Sequence, residues 1–147
     1  MIRGKAFYVL LFGLLLIGCS GCIPQVEEVN QLLITGDGRE VIYTVEEMQT
    51  LGAARSEFEG ETYVGVPLIA LLQESGYASG EISTVTAVAA DGYSVTYTPE
   101  IFQQEDVLVA YAREEGPLDG DQGTFRMVLP GEEGKLNVRL LAELQVR

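Results

Sequence analysis

The chain has 147 residues and a formal net charge of −13, with 22 acidic side chains against nine basic ones. So large an excess of negative charge argues against nucleic acid and anionic lipid as direct partners of the folded part. Histidine is absent from the sequence, which excludes the commonest general base and the histidine-bearing zinc sites.

Residues 1–18 have the pattern of a signal peptide. Arg3 and Lys5 precede an apolar run over residues 10–17 that is too short for a comfortable membrane span. The run leads into Leu16-Ile17-Gly18-Cys19, which resembles the bacterial and archaeal lipobox, whose cysteine is acylated and becomes the new N-terminus. Because two acyl chains give stable attachment, we expect Cys19 to anchor the chain to a cell membrane on its extracytoplasmic side, periplasmic or outer. A plain signal peptide and an uncleaved N-terminal anchor are the alternatives.

Residues 19–30 are predicted to be a tether, and residues 31–147 a single folded domain. The tether contains glycine and proline and shows no apolar periodicity. Loss of the two cations of the signal would take the net charge from −13 to −15, so we expect the domain to stand off the bilayer. Cys22 is the only cysteine besides the anchor, so the domain contains no thiol and needs no disulfide.

The first predicted elements are a hairpin and a short helix. The hairpin has strands at residues 32–34 and 41–43 around a Gly-Asp-Gly turn. Thr44 and Glu47 follow in a capping-box pattern, which predicts a helix ending near Leu51.

A second helix is predicted behind Pro67, after strands at residues 53–58 and 63–66 joined by a turn. Proline suits the first position of a helix because its φ is fixed and its missing donor would be unpaired there. Three leucines form the apolar stripe of this helix. Gly76 is predicted to end it, with Tyr77 folding back on Leu72.

Asp91-Gly92 marks a second hairpin between β-rich runs at residues 84–90 and 93–97. Thr98-Pro99-Glu100 then opens another helical turn. Further strands are predicted at residues 107–111, at residues 125–129 and between residues 138 and 146. Many short strands with two or three short helices and no regular βαβ alternation predict an α+β domain.

Few side chains remain for chemistry once histidine and thiols are excluded from the domain. Acids adjacent in sequence point apart on a helix or strand, so they are not expected to act as catalytic pairs. Glu57, Glu59 and Glu61 are interpreted as solvated surface charges. Residues 119–123 have the oxygen density of a calcium loop but lack its later bidentate glutamate, which favours a plain turn.

A succession of short motifs runs through residues 31–147. The succession comprises Tyr63-Val64-Gly65-Val66-Pro67-Leu68 before a helix, Asp91-Gly92-Tyr93 in a hairpin, Ala110-Tyr111 ahead of Gly116-Pro117-Leu118, and Gly123 followed by Phe125-Arg126-Met127-Val128-Leu129-Pro130-Gly131 and Val138. Together these motifs resemble the molybdopterin-binding domain of the sulfite oxidase family. The resemblance implies that family's α+β fold, with mixed and antiparallel short strands.

The resemblance also implies a molybdopterin site, from which this sequence departs. In active members of the family, a cysteine thiolate from the strand before the hairpin binds molybdenum, whereas that strand here contains Val88-Ala89-Ala90. The family's histidine before the Gly-x-x-x-Arg segment is Gln122 here, while Arg126 matches the arginine. Arg139 falls near a position where the family often has lysine, and Lys135 is the remaining cation of this stretch.

The candidate ligand site therefore consists of Asp91, Gly92, Tyr93, Arg126 and Arg139. Asp91 and Gly92 are also turn residues, and the arginines can instead be structural, satisfying carbonyls or pairing with surface carboxylates. No catalytic or metal-binding residue is assigned. We expect no cofactor, with molybdopterin as the alternative.

Three functions stay open at this point. The favoured one is a non-catalytic binding or interaction module for a small ligand or a protein partner. The second is a molybdopterin-dependent oxidoreductase with a non-cysteine metal ligand, against which the missing thiolate and histidine count. The third is a substrate-capture lipoprotein that feeds a transporter or an enzyme, for which Tyr63, Tyr93 and Tyr97 could supply aromatic contacts. Such tyrosines are more often core residues or cross-strand pairs of a hairpin. If Arg126 binds ligand, its replacement by alanine should weaken ligand uptake and leave the unfolding midpoint nearly unchanged.

Overall fold

The computed structural model of the protein describes residues 30–147, so Cys19 and the predicted signal and tether before Asn30 lie outside the described residues. In chain order the elements are β1 (Leu32–Gly36), β2 (Arg39–Tyr43), α1 (Val45–Leu51), β3 (Ala54–Phe58), β4 (Glu61–Pro67), α2 (Leu68–Glu74), a 3₁₀ turn (Ser79–Glu81), β5 (Val85–Ala89), β6 (Ser94–Tyr97), α3 (Pro99–Phe102), β7 (Leu108–Arg113), β8 (Gly116–Pro117), β9 (Arg126–Val128), a second 3₁₀ turn (Gly134–Leu136) and β10 (Leu141–Val146). From residue 30 onward, no helix is long and apolar enough to cross a membrane.

The strands form two sheets. One has the order β2-β1-β10-β5-β6, in which β1 and β10 are parallel and the other neighbours are antiparallel. The second has the order β3-β4-β7-β8, with β9 also paired antiparallel to β7. With three short helices beside mixed sheets, the predicted α+β class is confirmed.

Strand β7 is buried on both of its faces. Val109 and Tyr111 face the main core, whereas Leu108 and Ala110 face a smaller cluster with Tyr63 and Val128. A strand covered on both sides is expected to be apolar throughout rather than alternating, which explains the unbroken apolar run of this segment. The second face of β7 is the one that carries the candidate site.

The first helix begins as its capping box predicts. The backbone nitrogen of Glu47 donates to Thr44 Oγ1 at 3.3 Å, and the backbone nitrogen of Thr44 donates to Glu47 Oε2 at 2.8 Å. Both amides would otherwise lack a partner at the helix end, so the pair fixes where α1 begins.

The second helix begins one residue later than predicted. Pro67 is the last residue of β4, with ψ of 132°, and pairs with Leu108 in the sheet, so Leu68 is the first helical residue. The predicted end is confirmed, since Gly76 has φ of 92° and the backbone nitrogen of Tyr77 donates to Leu72 O at 3.0 Å. This bond closes a Schellman motif, which the positive φ of glycine permits.

The hairpin at Asp91-Gly92 is confirmed, with a loop of three residues. Ala89 N donates to Tyr93 O at 2.7 Å, and Gly92 N donates to Ala89 O at 3.0 Å, with Gly92 at φ of 89°. The predicted helical turn behind Thr98 and the strands β7, β9 and β10 are present. The two-residue strand β8 and the two 3₁₀ turns were not predicted, because such short elements have no periodicity to detect.

Candidate functional site

Arg126 is the only charged side chain that is buried in the part of the chain from residue 30 on, and it is 4% exposed. It lies in β9 opposite Ala110 of β7. Directly paired residues share a face of the sheet, so Arg126 lies on the second face of β7. This face is covered by the small cluster rather than by the main core.

The guanidinium of Arg126 is held by three hydrogen bonds and two aromatic rings. Nη1 donates to the Tyr63 hydroxyl at 3.0 Å and to Gln122 Oε1 at 2.8 Å, and Nε donates to the Met127 carbonyl at 3.3 Å. The guanidinium carbon lies 4.6 Å from the centroid of the Tyr63 ring and 5.6 Å from that of Phe58. These contacts fix the orientation of the planar group.

No counter-ion touches Arg126 in residues 30–147, and the nearby Glu59 and Glu61 favour its charge only from beyond contact distance. No carboxylate of residues 30–147 lies within 4.0 Å of it, and Nη2 donates to no group of that region. Every fully buried side-chain nitrogen of residues 30–147 has a hydrogen-bond partner. Because Nη2 has none, it is not fully buried and is accessible from the adjoining cleft. Burial lowers the pKa of Arg126, and burial likewise raises the pKa of Tyr63. The site therefore presents an unpaired cation in a partly desolvated place.

A cleft of about 390 Å³ lies over Arg126; we name it the first cleft. Its walls come from the β3–β4 turn, the loop before β9 and the 3₁₀ turn behind it. The polar residues that line it are Glu59, Glu61, Asp121, Gln122, Asn137 and Arg139. Asn137 supports one wall, because its Oδ1 accepts from Leu129 N at 2.6 Å and its Nδ2 donates to Glu133 O at 3.2 Å.

A second cleft of about 620 Å³ adjoins the first. Ala89, Asp91, Tyr93 and Lys135 line it, and Asp121, Gly134, Asn137 and Arg139 line both clefts. Arg139 Nη1 lies 3.5 Å from Asp121 Oδ2, so this exposed ion pair marks the boundary. The two clefts are neighbouring halves of one groove.

The residues predicted for the site lie in different halves of this groove. Arg126 lines the first cleft, Asp91 and Tyr93 line the second, and Arg139 lines both. Gly92 lines neither and serves the turn. Asp91 Oδ1 accepts from Tyr93 N at 3.0 Å, so Asp91 also has a turn role.

The tyrosines named as aromatic contacts have three different environments. Tyr63 contacts Arg126, while Tyr93 is 47% exposed and donates to the Lys135 carbonyl at 2.6 Å. Tyr97 is fully buried and donates to the Leu136 carbonyl at 2.6 Å. Tyr97 is therefore a core residue, as expected for most such tyrosines, and cannot contact a ligand in the groove.

Residues 119–123 form a turn in which Gln122 N donates to Asp119 O at 2.9 Å. Asp119 pairs with Arg113 at 2.8 Å, and Asp121 is the partner of Arg139. Over residues 30–147, no group of three or more metal-ligating side chains is arranged around a common point.

Phe58, Glu59, Glu61 and Asn137 belong to the first cleft and were not predicted as site residues. Three of them come from the β3–β4 hairpin, about 60 residues before Arg126 in the chain. No local sequence pattern indicates that the β3–β4 hairpin lies beside Arg126. The two are close because β4 and β9 pair with the same strand, β7.

The donor groups of the groove do not fit a metal-loaded molybdopterin. Residues 30–147 contain no cysteine, and Ala89 lines the second cleft without a sulfur ligand. A pterin phosphate calls for several charge-assisted donors. Lys135 is paired with Glu133 at 2.7 Å and Arg139 with Asp121, which leaves Arg126 as the single unpaired cation of the groove.

Comparison with known proteins gives a family and a fold. A family model described as "Oxidoreductase molybdopterin binding domain" matches residues 21–147. A comparison with curated proteins found no match.

Among solved structures, the crystal structure of the sulfane dehydrogenase SoxCD from Paracoccus pantotrophus is similar, with a TM-score of 0.68 and 23% identity. The alignment covers 81% of this chain and 38% of that chain, so this protein spans about two fifths of its length. At this identity the likeness shows the fold alone. Since the family model matches most of the sequence, the chain belongs to the oxidoreductase molybdopterin-binding domain family and has its sulfite oxidase-like fold.

Proposed function

We propose that this protein is a membrane-anchored extracytoplasmic lipoprotein whose domain binds a small ligand and does not transform it. The observation that carries the proposal is Arg126, a 4% exposed cation without a counter-ion on the floor of a cleft. Burial of an unpaired charge is unfavourable. A ligand carboxylate at Nη2 would supply the missing partner through a charge-assisted hydrogen bond.

The side chains around the groove support a non-catalytic role. Residues 30–147 contain no histidine or thiol, which leaves carboxylates and tyrosines as acid–base groups there. Burial raises the pKa of Tyr63, so its hydroxyl stays protonated at neutral pH. Glu59, Glu61 and Asp121 are exposed on the walls of the cleft, so none of them is a carboxylate buried beside the cation.

The anchor in this proposal is an acylated Cys19. The 11 residues from there to Asn30 span about 40 Å at most, which keeps the groove near the bilayer. Asn30 Oδ1 accepts from Thr124 Oγ1 at 3.5 Å, two residues before Arg126, so the tether enters beside the loop that borders the first cleft. Replacement of Cys19 by serine should release the protein from membranes, and a variant that stays in the membrane fraction would contradict lipidation.

Ligand binding is tested with three small probes, acetate, butyrate and γ-aminobutyrate. Each is titrated into full-length protein in nonionic detergent, with affinities measured by calorimetry, and the side-chain Nε–H signal of Arg126 in the ¹⁵N-labelled wild-type protein is followed by NMR. We expect saturable binding of at least one probe, weakened about tenfold by Arg126→Lys because the bound carboxylate loses a fixed donor. Arg55→Lys is the matched control, since Arg55 is 61% exposed and pairs with Glu114 away from the groove.

Two results would overturn the proposal. If none of the three probes binds saturably, the groove is not a carboxylate site. If the protein from a molybdopterin-producing host carries stoichiometric molybdenum or tungsten, the non-catalytic role is wrong and the oxidoreductase alternative returns.

A further inference from the structure

The first cleft has both signs of charge, at different depths. Arg126 is buried on its floor, while Glu59, Glu61 and Asp121 are exposed along its walls. None of these carboxylates lies within 4.0 Å of Arg126. Glu59 and Glu61 thus favour the charge of Arg126 from a distance, and no carboxylate of the walls forms a close ion pair with it.

Among these acids, Glu59 is the one without an ion pair to another residue from 30 to 147. Glu61 Oε2 lies 3.7 Å from Arg113, and Asp121 is the partner of Arg139. Glu59 forms no ion pair with any group of residues 30–147. Its carboxylate is available to a cation that enters the cleft.

The backbone holds Glu59 over the cleft. Phe58 pairs with Glu61, so Glu59 and Gly60 make a two-residue hairpin loop, with φ of 50° and 80°. Two positive φ values are typical of a type I′ turn, which matches the twist of the strands. Glu59 Oε1 lies 3.8 Å from where a Cβ on Gly134 would be, so its side chain reaches the opposite wall.

We propose that the ligand is a small zwitterion, with a carboxylate bound to Arg126 on the floor and an ammonium or quaternary ammonium group among Glu59, Glu61 and Asp121. This inference rests on the proposed function and names its ligand class. A simple anion would leave the wall carboxylates unmatched, and a dianion such as phosphate would be repelled by them. A simple cation would leave Arg126 without its partner. A zwitterion satisfies both sets of charges at once.

The test compares γ-aminobutyrate, butyrate and n-butylamine, which share a four-carbon chain and differ in their charged ends. Affinities are measured by calorimetry and by the Arg126 Nε–H signal of the full-length protein. We expect γ-aminobutyrate to bind at least tenfold more tightly than butyrate, because the ammonium gains a second charge-assisted contact. Butylamine should bind more weakly than γ-aminobutyrate and leave the Arg126 signal unmoved.

Matched variants test the binding of the two charged ends of the ligand independently. Glu59→Gln should remove most of the preference for γ-aminobutyrate over butyrate, since it deletes one wall charge and keeps the shape. Glu57→Gln, in the same hairpin but outside the cleft, should leave that preference unchanged. Arg126→Lys should weaken both probes, and the signal shift of the wild-type protein keeps the test valid if this variant is unstable.

The outcomes distinguish this inference from the proposed function. If butyrate binds as tightly as γ-aminobutyrate, the zwitterion is wrong while a carboxylate site remains. If butylamine binds as tightly as γ-aminobutyrate without moving the Arg126 signal, the ligand is a cation and the inference is wrong. If no probe binds, both proposals fail.

Discussion

Replacement of Arg126 by lysine tests how this buried cation is held. The guanidinium makes three hydrogen bonds, to Tyr63, Gln122 and the Met127 carbonyl, and contacts two rings. A lysine ammonium keeps the charge, but it is a point donor that cannot reach all three acceptors. Loss of one or two charge-assisted bonds of about 1.5–3 kcal/mol each predicts a fall of about 1.5–6 kcal/mol in the free energy of unfolding.

The assay is urea unfolding followed by far-UV circular dichroism, because the chain contains no tryptophan. Arg139→Lys is the control, since its 3.5 Å ion pair is exposed and should contribute less than about 0.5 kcal/mol. An Arg126→Lys protein as stable as that control would refute the reasoning. The burial of Arg126 also changes the expectation for Arg126→Ala from an unchanged to a lowered unfolding midpoint, because the variant would leave Gln122 and Tyr63 without their shared donor.

Three further predictions concern the fold and are measured by the same unfolding assay. Thr44→Ala should cost about 1 kcal/mol, because Glu47 N loses its cap, and no loss would contradict the capping box. Gly65→Ala should cost about 1–3 kcal/mol, because the new Cβ would lie 2.6 Å from Ala110 Cα, and a neutral effect would contradict that close approach. Burial raises the pKa of Tyr97 above its usual value of 10, so this tyrosine stabilises the fold below that pH. Tyr97 should therefore contribute a fall of about 1.4 kcal/mol per pH unit to the free energy of unfolding as pH rises above about 10. Burial also raises the pKa of Tyr63, Tyr77 and Tyr111, so Tyr97→Phe should reduce the slope without abolishing it.

The sequence predicts best the elements that are fixed by contacts between residues close together in the chain. Thr44 and Glu47 form their capping bonds within one turn, and Gly76 ends α2 through the bond of the next residue to Leu72. Such contacts depend on three to five neighbouring residues. The parallel pairing of β1 with β10 joins Leu33 to Glu143, and no short window contains that information.

The sequence predicted only part of the site, because only some of its residues belong to a local motif. Arg126 was found through a motif, whereas Glu59 and Phe58 enter the first cleft only because β4 and β9 pair with one strand. The interpretation of Glu57, Glu59 and Glu61 as solvated charges is correct for their exposure. It misses that Glu59 and Glu61 line a cleft, because a strand pattern gives the direction of a side chain and not what lies opposite it.

The two faces of β7 suggest how this fold can exist without a metal ligand. Its core face packs into the main cluster, and no residue of that cluster lines the first cleft. The main core thus lies on one side of the strand and the first cleft on the other, over a small cluster that includes Tyr63. Substitution of the exposed polar residues of the first cleft is therefore expected to leave the main core intact. Two buried residues are exceptions, since Asn137 holds the backbone of the core residue Leu129 and Arg126 joins Tyr63 of β4 to Gln122 of the loop before β9, so the stability and the ligand affinity of Arg126 variants are measured separately.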